Sequence, residues 1–246
     1  MNNTIEIIKN HRSIRQYLDK DIPDEIIDEI IISAQAMPNS INGQQTIIIV
    51  VKDKAKREKL AELTGNQPHV AEAPVFLVFL IDFYRTYLAA KKNHVEQVVH
   101  EYVEGTEVGS VDAGIALGAA TIAAESLGLG VVPIGGIRKN PEKVIELLEL
   151  PKYTFPVVGL VVGYPADKSH KKPRIPFNSY RHIDKYDKKI VESSIDSYDD
   201  QMASYLKDIG RYDKEKNWSS QTSGYYKLNY YPKVKAIMER QGFTNK

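Results

Sequence analysis

The sequence predicts a layered fold of the α/β or α+β class. Two apolar, β-branched runs, residues 46–51 and 75–81, are typical of buried strands. Segments with helical periodicity lie before, between and after them. Helices that alternate with buried strands indicate a sheet covered by helices. A plain dinucleotide-binding unit is disfavoured, because no GxGxxG motif follows a predicted strand.

The first half of the chain supplies the clearest elements. A short helix is predicted over residues 4–10 with Thr4 as its cap. A stronger helix follows over residues 23–37, because isoleucines recur on one face and Pro23 suits a first turn. The remaining predictions are a loop at 38–45, a strand at 46–51, a helix at 54–64, a turn at 65–66 and a strand at 75–81.

A long core helix dominates the second half of the pattern. An irregular helical excursion is predicted over residues 84–107. A helix is predicted over residues 108–127, and its alanines and glycines allow close packing against neighbouring elements. Asp112 and Glu125 within that helix argue against a membrane span. Further predictions are strands at 131–134 and 155–162 and helices at 141–148, 186–209 and 232–241.

The composition changes after Pro165. Nine of the 15 tyrosines lie between Tyr180 and Tyr231, and apolar residues become sparser. A segment this polar is not expected to form a core of its own, so we expect it to pack on the main body or on a partner subunit.

Composition and charge exclude several functional classes. The 246 residues contain no cysteine, which excludes disulfides, thiolate metal sites, iron–sulfur clusters and cysteine nucleophiles. Any redox chemistry would therefore need a bound cofactor. Lys and Arg total 33 against 32 for Asp and Glu, so no basic excess points to nucleic acid. Without a long apolar run or a signal-like N-terminus, we expect a cytoplasmic protein with no membrane span.

Two cationic segments could bind phosphate. His11-Arg12-Ser13-Ile14-Arg15 and Lys171-Lys172-Pro173-Arg174 concentrate guanidinium and ammonium groups. Arginine suits multidentate capture of phosphate oxygens. The alternative is a solvated basic turn in the first case and a solvated charged face in the second.

Three polar or glycine-containing loops could contact a heteroaromatic ligand: residues 38–45, 65–69 and 133–138. Each could equally be an ordinary connection between elements. The six histidines lack metal-ligand spacing, and no GxSxG, P-loop or plausible Ser-His-Asp set is present. Donor-rich loops with cationic clusters favour a bound phosphorylated cofactor over side-chain chemistry.

Taken together, these segments resemble the nitroreductase superfamily of FMN-dependent oxidoreductases, and in particular its larger NADPH-dependent branch. The resemblance covers residues 4–176 strongly and the remainder loosely. Its motifs occur in the family's order: HRSIR at 11–15, the loop at Asn39–Ser40, GNQxH at 65–69, ESLGLG at 125–130, IGGIR at 134–138 and KPRxP at 172–176.

The resemblance implies an α+β fold, a three-layer α-β-α sandwich. Residues 1–180 would form the FMN-binding core, and residues 181–246 a C-terminal helical extension that embraces the partner subunit. The protein would be a homodimer with two FMN molecules at the subunit interface.

The resemblance also implies the site residues. The FMN phosphate and ribityl side would be held by one set: His11, Arg12, Ser13, Arg15, Lys172 and Arg174. The ribityl chain and isoalloxazine edge would contact a second set: Asn39, Ser40, Asn42 and Gln67. Ile134, Gly135 and Gly136 would lie near flavin N5. No catalytic side chain and no metal ligand is expected, because the chemistry takes place at N5.

The implied activity is an NADPH-dependent FMN reductase or nitroreductase that follows a ping-pong cycle with small acceptors such as nitroaromatics, free flavins or quinones. Alternatives are supply of reduced flavin to a partner enzyme and non-catalytic FMN binding. Arg211, Lys214 and Lys216 are candidates for the NADPH 2′-phosphate. Asp213 and Glu215 interrupt that basic stretch, so use of NADH stays open.

Overall fold

The computed structural model describes residues 2–213 and 217–246. These divide into two compact units. The first runs up to Ser169 and includes Tyr231–Lys246, and the second is His170–Tyr230. The expected role of residues 181–246 in a dimer concerns a partner chain and stays a prediction.

A four-stranded antiparallel sheet forms the centre of the first unit, in the order β1-β2-β4-β3. Its strands are β1 Thr46–Val51, β2 Val75–Asp82, β3 Gly130–Ile134 and β4 Thr154–Gly163. Antiparallel pairing rules out the parallel arrangement that the alternating pattern had left open. The expected α+β class is confirmed.

Helices of both units lie along the chain in the following order. They are α1 Asn3–Lys9, α2 Asp24–Gln35, α3 Lys54–Leu63, α4 Pro68–Glu72, α5 Tyr84–Lys92, α6 Val103–Ser126, α7 Pro141–Leu147, α8 Phe177–Tyr180, α9 Lys188–Asp208, α10 Trp218–Tyr226 and α11 Val234–Arg240. Short 3₁₀ turns occupy Ser40–Asn42, Val99–Glu101 and Gly135–Arg138.

Strand β2 separates two apolar cores. All eight of its residues are buried, and successive side chains point to opposite faces. Val75, Leu77 and Phe79 pack with residues of α2 and α6 on one face. Phe76 and Val78 pack with residues of α3, α4 and α7 on the other. The first unit is therefore three layers deep.

Helix α6 is, within the described residues, the one helix long and apolar enough to cross a membrane by length and composition. Four alanines spaced along it are buried in the core that α6 shares with α2 and the sheet: Ala113, Ala116, Ala120 and Ala124. Such small side chains let helix and sheet approach closely, which is the packing of a core helix.

Several predicted boundaries were wrong. Helix α1 is capped by Asn2 instead of Thr4, because the Asn2 Oδ1 accepts a hydrogen bond from Ile5 N at 3.0 Å. Strand β1 is only half-buried, since it lies at an edge of the sheet. Helix α6 begins at Val103, so it includes the last residues of the segment 84–107 that was predicted as an irregular excursion. Helices α4 and α10 were missed, because both are short and lack a clear apolar stripe.

The second unit has a small apolar centre of its own. Tyr198 and Met202 of α9 are buried. The Tyr198 hydroxyl donates to Pro173 O at 3.0 Å, and its ring meets Trp218 edge-on at 5.2 Å between centroids. Asp199 accepts hydrogen bonds from Ser219 N and Oγ, which ties α10 to α9.

We predict that Gly159→Ala destabilises the first unit by about 1–3 kcal/mol. A Cβ at Gly159 would lie 2.2 Å from Cζ of Phe76, a ring with no exposed surface. Gly224→Ala on α10 is the control, because nothing lies within 4 Å of its Cβ position. There alanine should be neutral or add up to about 1 kcal/mol of helix propensity. Denaturant unfolding measures both variants, and equal stabilities would contradict the packing described.

Candidate functional site

The segment around Ser13 extends the sheet beyond β3. Ser13 forms a parallel bridge with Val131, and Ile14 N donates to Val131 O at 2.9 Å. Gly130 permits this approach, because a Cβ there would lie 2.7 Å from Ile14 Cγ1. The backbone around HRSIR is thereby fixed against the sheet, and its polar side chains are held at one corner.

Two side chains of that segment show how the corner is organised. The Nδ1 atom of His11 lies 2.7 Å from Oε1 of Glu125 on α6, which fixes the imidazole ring. Arg12 Nε is buried and has no hydrogen-bond partner among the described residues. A buried donor without an acceptor costs about 1–3 kcal/mol, so a bound anion at this corner would remove a penalty.

His69 on α4 adds a second donor or acceptor to the same corner. It is buried, and its Nε2 has no partner among the described residues. Burial, and then the positive charge of nearby Arg15, lower the pKa of His69. The Arg15 side chain itself is exposed. His69 stood in the GNQPH motif but was not among the predicted site residues, because only the fold shows it beside Arg15.

Gln67 and Gly136 meet at the other end of β3. A Cβ at Gly136 would lie 2.3 Å from Thr64 O and 2.8 Å from Gln67 Nε2, so this position requires glycine. Gln67 Nε2 donates to Thr64 O at 2.9 Å. A Cβ at Gly135 would lie in ordinary contact with Arg138 Nη2 at 3.5 Å and Tyr231 OH at 3.9 Å, so this position tolerates a side chain.

Most of the residues predicted to contact FMN therefore lie at one of the two ends of β3. We call His11, Arg12, Ser13 and Arg15 the cationic cluster. It lies beside the start of β3, while Gln67 and Ile134–Gly136 lie at the end of that strand. Five strand residues separate the two groups by about 13 Å. This arrangement suits an elongated ligand with an anionic end.

Residues 39–45, which we call the amide loop, are held by their own amides. Asn39 Oδ1 accepts from Gln44 N at 3.0 Å, and Asn42 Oδ1 accepts from Gln44 Nε2 at 2.6 Å. Three non-glycine residues take a left-handed backbone: Ile41, Asn42 and Gln44, with φ of 49°, 57° and 54°. Such backbone is strained and persists only where other contacts enforce it.

Beneath the amide loop lies Asp112 of α6, which the sequence singled out only as a charge within an apolar helix. It is 5% exposed. Its carboxylate accepts from Ser40 N at 3.3 Å and from Gln45 Nε2 at 2.6 Å. Burial raises the pKa of Asp112, and the Ser40 N–H opposes that rise.

The amide loop and the cationic cluster lie at opposite corners of the sheet. Ser13 lies beyond the β3 edge of the sheet, in register with Val75, the first residue of β2. The amide loop leads into Thr46 on the β1 edge, in register with Ile81 near the end of β2. Strand spacing and rise put them roughly 25 Å apart. On one chain, they cannot contact the same ribityl chain.

The remaining predicted residues lie in the second unit. Lys172 and Arg174 are exposed, and Arg174 Nη1 donates to Lys172 O at 3.1 Å. Arg211 follows α9 and is exposed. Lys214 and Lys216 lie outside the described residues. Among those that are described, no group of three or more His, Asp and Glu side chains could hold a metal ion.

Family models match nearly the whole chain. Residues 8–164 match the model described as "Nitroreductase family", and residues 172–246 match "Nitroreductase family, C-terminal domain". These two matches span the motifs on which the resemblance was based.

Individual relatives agree with the family models. The chain is 47% identical to the "FMN reductase [NAD(P)H]" of Bacillus subtilis, over 99% of this chain and 98% of that protein. It is 37% identical to the "Oxygen-insensitive NADPH nitroreductase" of Salmonella typhimurium, with full coverage of both. The solved structure of B. megaterium NfrA2 matches with 52% identity, full coverage of both chains and a TM-score of 0.97.

The buried histidines predict a loss of stability in mild acid. Burial is the main cause that lowers the pKa of both His69 and His100. The unfolded chain takes up protons at these positions below about pH 6.5, whereas the folded chain does not. The free energy of unfolding should therefore fall as the pH drops from 7 towards 5. His69→Gln and His100→Gln should each flatten that slope in denaturant titrations of the ligand-free protein, and the double variant more. An unchanged slope in His69→Gln would contradict this origin.

Proposed function

The chain belongs to the nitroreductase family, and we propose that it binds FMN and passes hydride from a nicotinamide nucleotide to small acceptors. One observation carries this proposal: within the described residues, Arg12 Nε and His69 Nε2 are buried without hydrogen-bond partners, and the exposed Arg15 lies near His69. Phosphate oxygens could supply the missing partners at this corner.

The donor set fits the phosphate end of FMN. A phosphate monoester carries nearly two negative charges near pH 7. Arg12 and Arg15 offer guanidinium groups, and the Ser13 hydroxyl adds a further donor. Glu125 orients the His11 ring at the same corner. Hydrogen bonds between charged groups contribute about 1.5–3 kcal/mol each, so the two arginines together would add about 3–6 kcal/mol to cofactor binding.

The flavin end would lie along the end of β3. Gly135 has no side chain to obstruct a ligand there, and Gln67 is held by Thr64 with its amide beside Gly136. Bound FMN supplies the hydride-accepting and hydride-donating chemistry. The chain's own residues bind the cofactor, orient it and leave one face accessible, so none of them is a catalytic acid or base.

A second copy of the chain would complete each site. Asn39, Ser40 and Asn42 lie roughly 25 Å from the cationic cluster of their own chain. If these three residues contact a flavin, it is the flavin that the cationic cluster of the second chain holds. This geometry supports a homodimer in which each FMN is shared between two chains. Lys172 and Arg174 are proposed as further phosphate contacts.

Nucleotide and acceptor preferences are proposed from the relatives. The B. subtilis relative is named for NAD(P)H and FMN, and the S. typhimurium relative for NADPH and nitro compounds. We expect NADPH as the main donor, with Arg211, Lys214 and Lys216 as candidates for its 2′-phosphate, and NADH as a second donor. Nitroaromatics, free flavins and quinones are the expected acceptors, in the cytoplasm. Supply of reduced flavin to a partner enzyme would favour free FMN over nitro compounds in steady-state rates.

Arg12→Ala should weaken FMN binding about 10- to 100-fold, because one charge-assisted contact to phosphate is lost. FMN fluorescence quenching gives the dissociation constant. Lys56→Ala is the matched control: it removes an exposed cation on α3 and should leave the FMN affinity unchanged.

The same preparation tests the proposed function as a whole. Wild-type protein should be yellow and should bleach anaerobically when NADPH is added. A colourless protein that takes up no FMN would overturn the function, and yellow protein that NADPH does not reduce would leave only FMN binding. Wild-type affinity in Arg12→Ala would remove the cationic cluster from the site.

If each site is shared between two chains, two variants that each bind FMN weakly should restore one intact site when they form a heterodimer. Arg12→Ala damages the cationic cluster, and an Asn39→Ala, Ser40→Ala, Asn42→Ala triple variant damages the amide loop. A heterodimer of the two would combine both defects in one site and leave the other intact. Co-expressed, differently tagged chains should therefore bind about half of the wild-type FMN with wild-type affinity. Uniformly weak binding in the heterodimer would contradict sites shared between chains.

A further inference from the structure

The amide loop rests on a buried side chain of its own. Gln45 is only 3% exposed, and a Cβ at Gly43 would lie 2.1 Å from Gln45 Oε1. The Gln45 side chain therefore runs directly beneath Gly43. Its other amide atom, Nε2, donates to Asp112 Oδ2 at 2.6 Å. Asp112 also accepts from Ser40 N, so one carboxylate holds the loop near its beginning and at its end.

Without Asp112, the loop would lose its hydrogen bonds to α6 and would keep those of Gln44 with Asn39, Asn42 and Arg85. Ile41, Asn42 and Gln44 all hold left-handed backbone, and Ile41 is 96% exposed, so its side chain offers almost no packing to offset the strain. A cavity of about 360 Å³ lies behind the loop and is lined by Asn39, Gln44, Gln45 and Asp112 among others. Space to relax into is thus available, and fixed contacts are needed to prevent it.

We propose that Asp112 is the positioning residue of the amide loop and that, through Gln45 and the Ser40 N–H, it holds Asn39, Ser40 and Asn42 in the conformation that meets bound flavin. This inference rests on the proposed function, because the flavin is what the loop would meet. Asp112 is buried, and its hydrogen bonds go to Ser40 N and Gln45 Nε2 of the loop. It acts through the loop, from a helix whose other end orients His11 through Glu125.

Three variants separate this role from general stability. Asp112→Leu keeps the shape but accepts no hydrogen bond. Asp112→Asn still accepts from Ser40 N, and a flipped Gln45 amide can accept from its Nδ2, so it should rescue the loop. Gly43→Ala leaves Asp112 intact and displaces Gln45 instead. Asp53→Ala is the control, because it removes a carboxylate that caps α3 by accepting from Lys56 N at 2.7 Å.

Two measurements follow the loop and the cofactor. Hydrogen–deuterium exchange of the peptide 39–45 should be about tenfold faster in Asp112→Leu and Gly43→Ala, with or without FMN, and close to wild type in Asp112→Asn and Asp53→Ala. The dissociation constant for FMN should rise about tenfold in the first two variants. Their kcat at saturating FMN should be largely kept, because the reacting atoms are untouched.

Each outcome decides between the two proposals. If wild-type protein binds FMN but Asp112→Leu matches it in exchange and affinity, the positioning role is wrong and the function stands. If Asp112→Asn is as impaired as Asp112→Leu, or Asp53→Ala gives the same phenotype, hydrogen-bonded positioning is likewise wrong. If wild-type protein binds no FMN, the proposed function fails, and with it the assignment of the loop to a flavin.

Discussion

The burial of β2 on both faces is the constraint on which the rest of the structure depends. Eight consecutive buried residues need apolar cover on two sides, and their alternation divides that cover into two cores. Helices α2 and α6 supply one layer, and α3, α4 and α7 the other. Strand β2 pairs with β1 and β4, and the cationic cluster and the amide loop lie at opposite corners of the resulting sheet.

Helix α6 connects the two halves of the proposed site. Its buried alanines anchor it in the core, and two of its carboxylates each bond one polar segment: Asp112 bonds the amide loop, and Glu125 bonds the His11 ring. Thirteen residues of helix separate these carboxylates, or about 20 Å. A rigid core element therefore sets the position of both groups, although neither group reaches the other on one chain. That distance is the physical reason for expecting a shared site.

The two groups are organised in opposite ways. Hydrogen bonds from Gln44 to Asn39 and Asn42, and from Gln45 to Asp112 of α6, hold the amide loop and maintain its strained backbone. At the corner with the cationic cluster, Arg12 Nε and His69 Nε2 are buried and have no partner in the part of the chain that the structure describes. Hydrogen bonds made within the protein keep the loop rigid before a ligand binds. Buried donors without a partner among the described residues instead favour the binding of an anion.

The sequence by itself determined the fold class, the strands and long helices, and the motifs that identify the family. These depend on local properties: the β-branched run at 75–81, the alanine spacing in α6 and the order of short motifs along the chain. The sequence grouped Gln67 with Asn39, Ser40 and Asn42, whereas the structure places Gln67 beside Gly136. Only the tertiary structure decided that β1 is a half-buried edge strand, that His69 faces Arg15, that Asp112 holds the amide loop, and that this loop lies far from the cationic cluster. Those facts depend on strand order and on contacts between residues distant in sequence, for which periodicity and composition carry no signal.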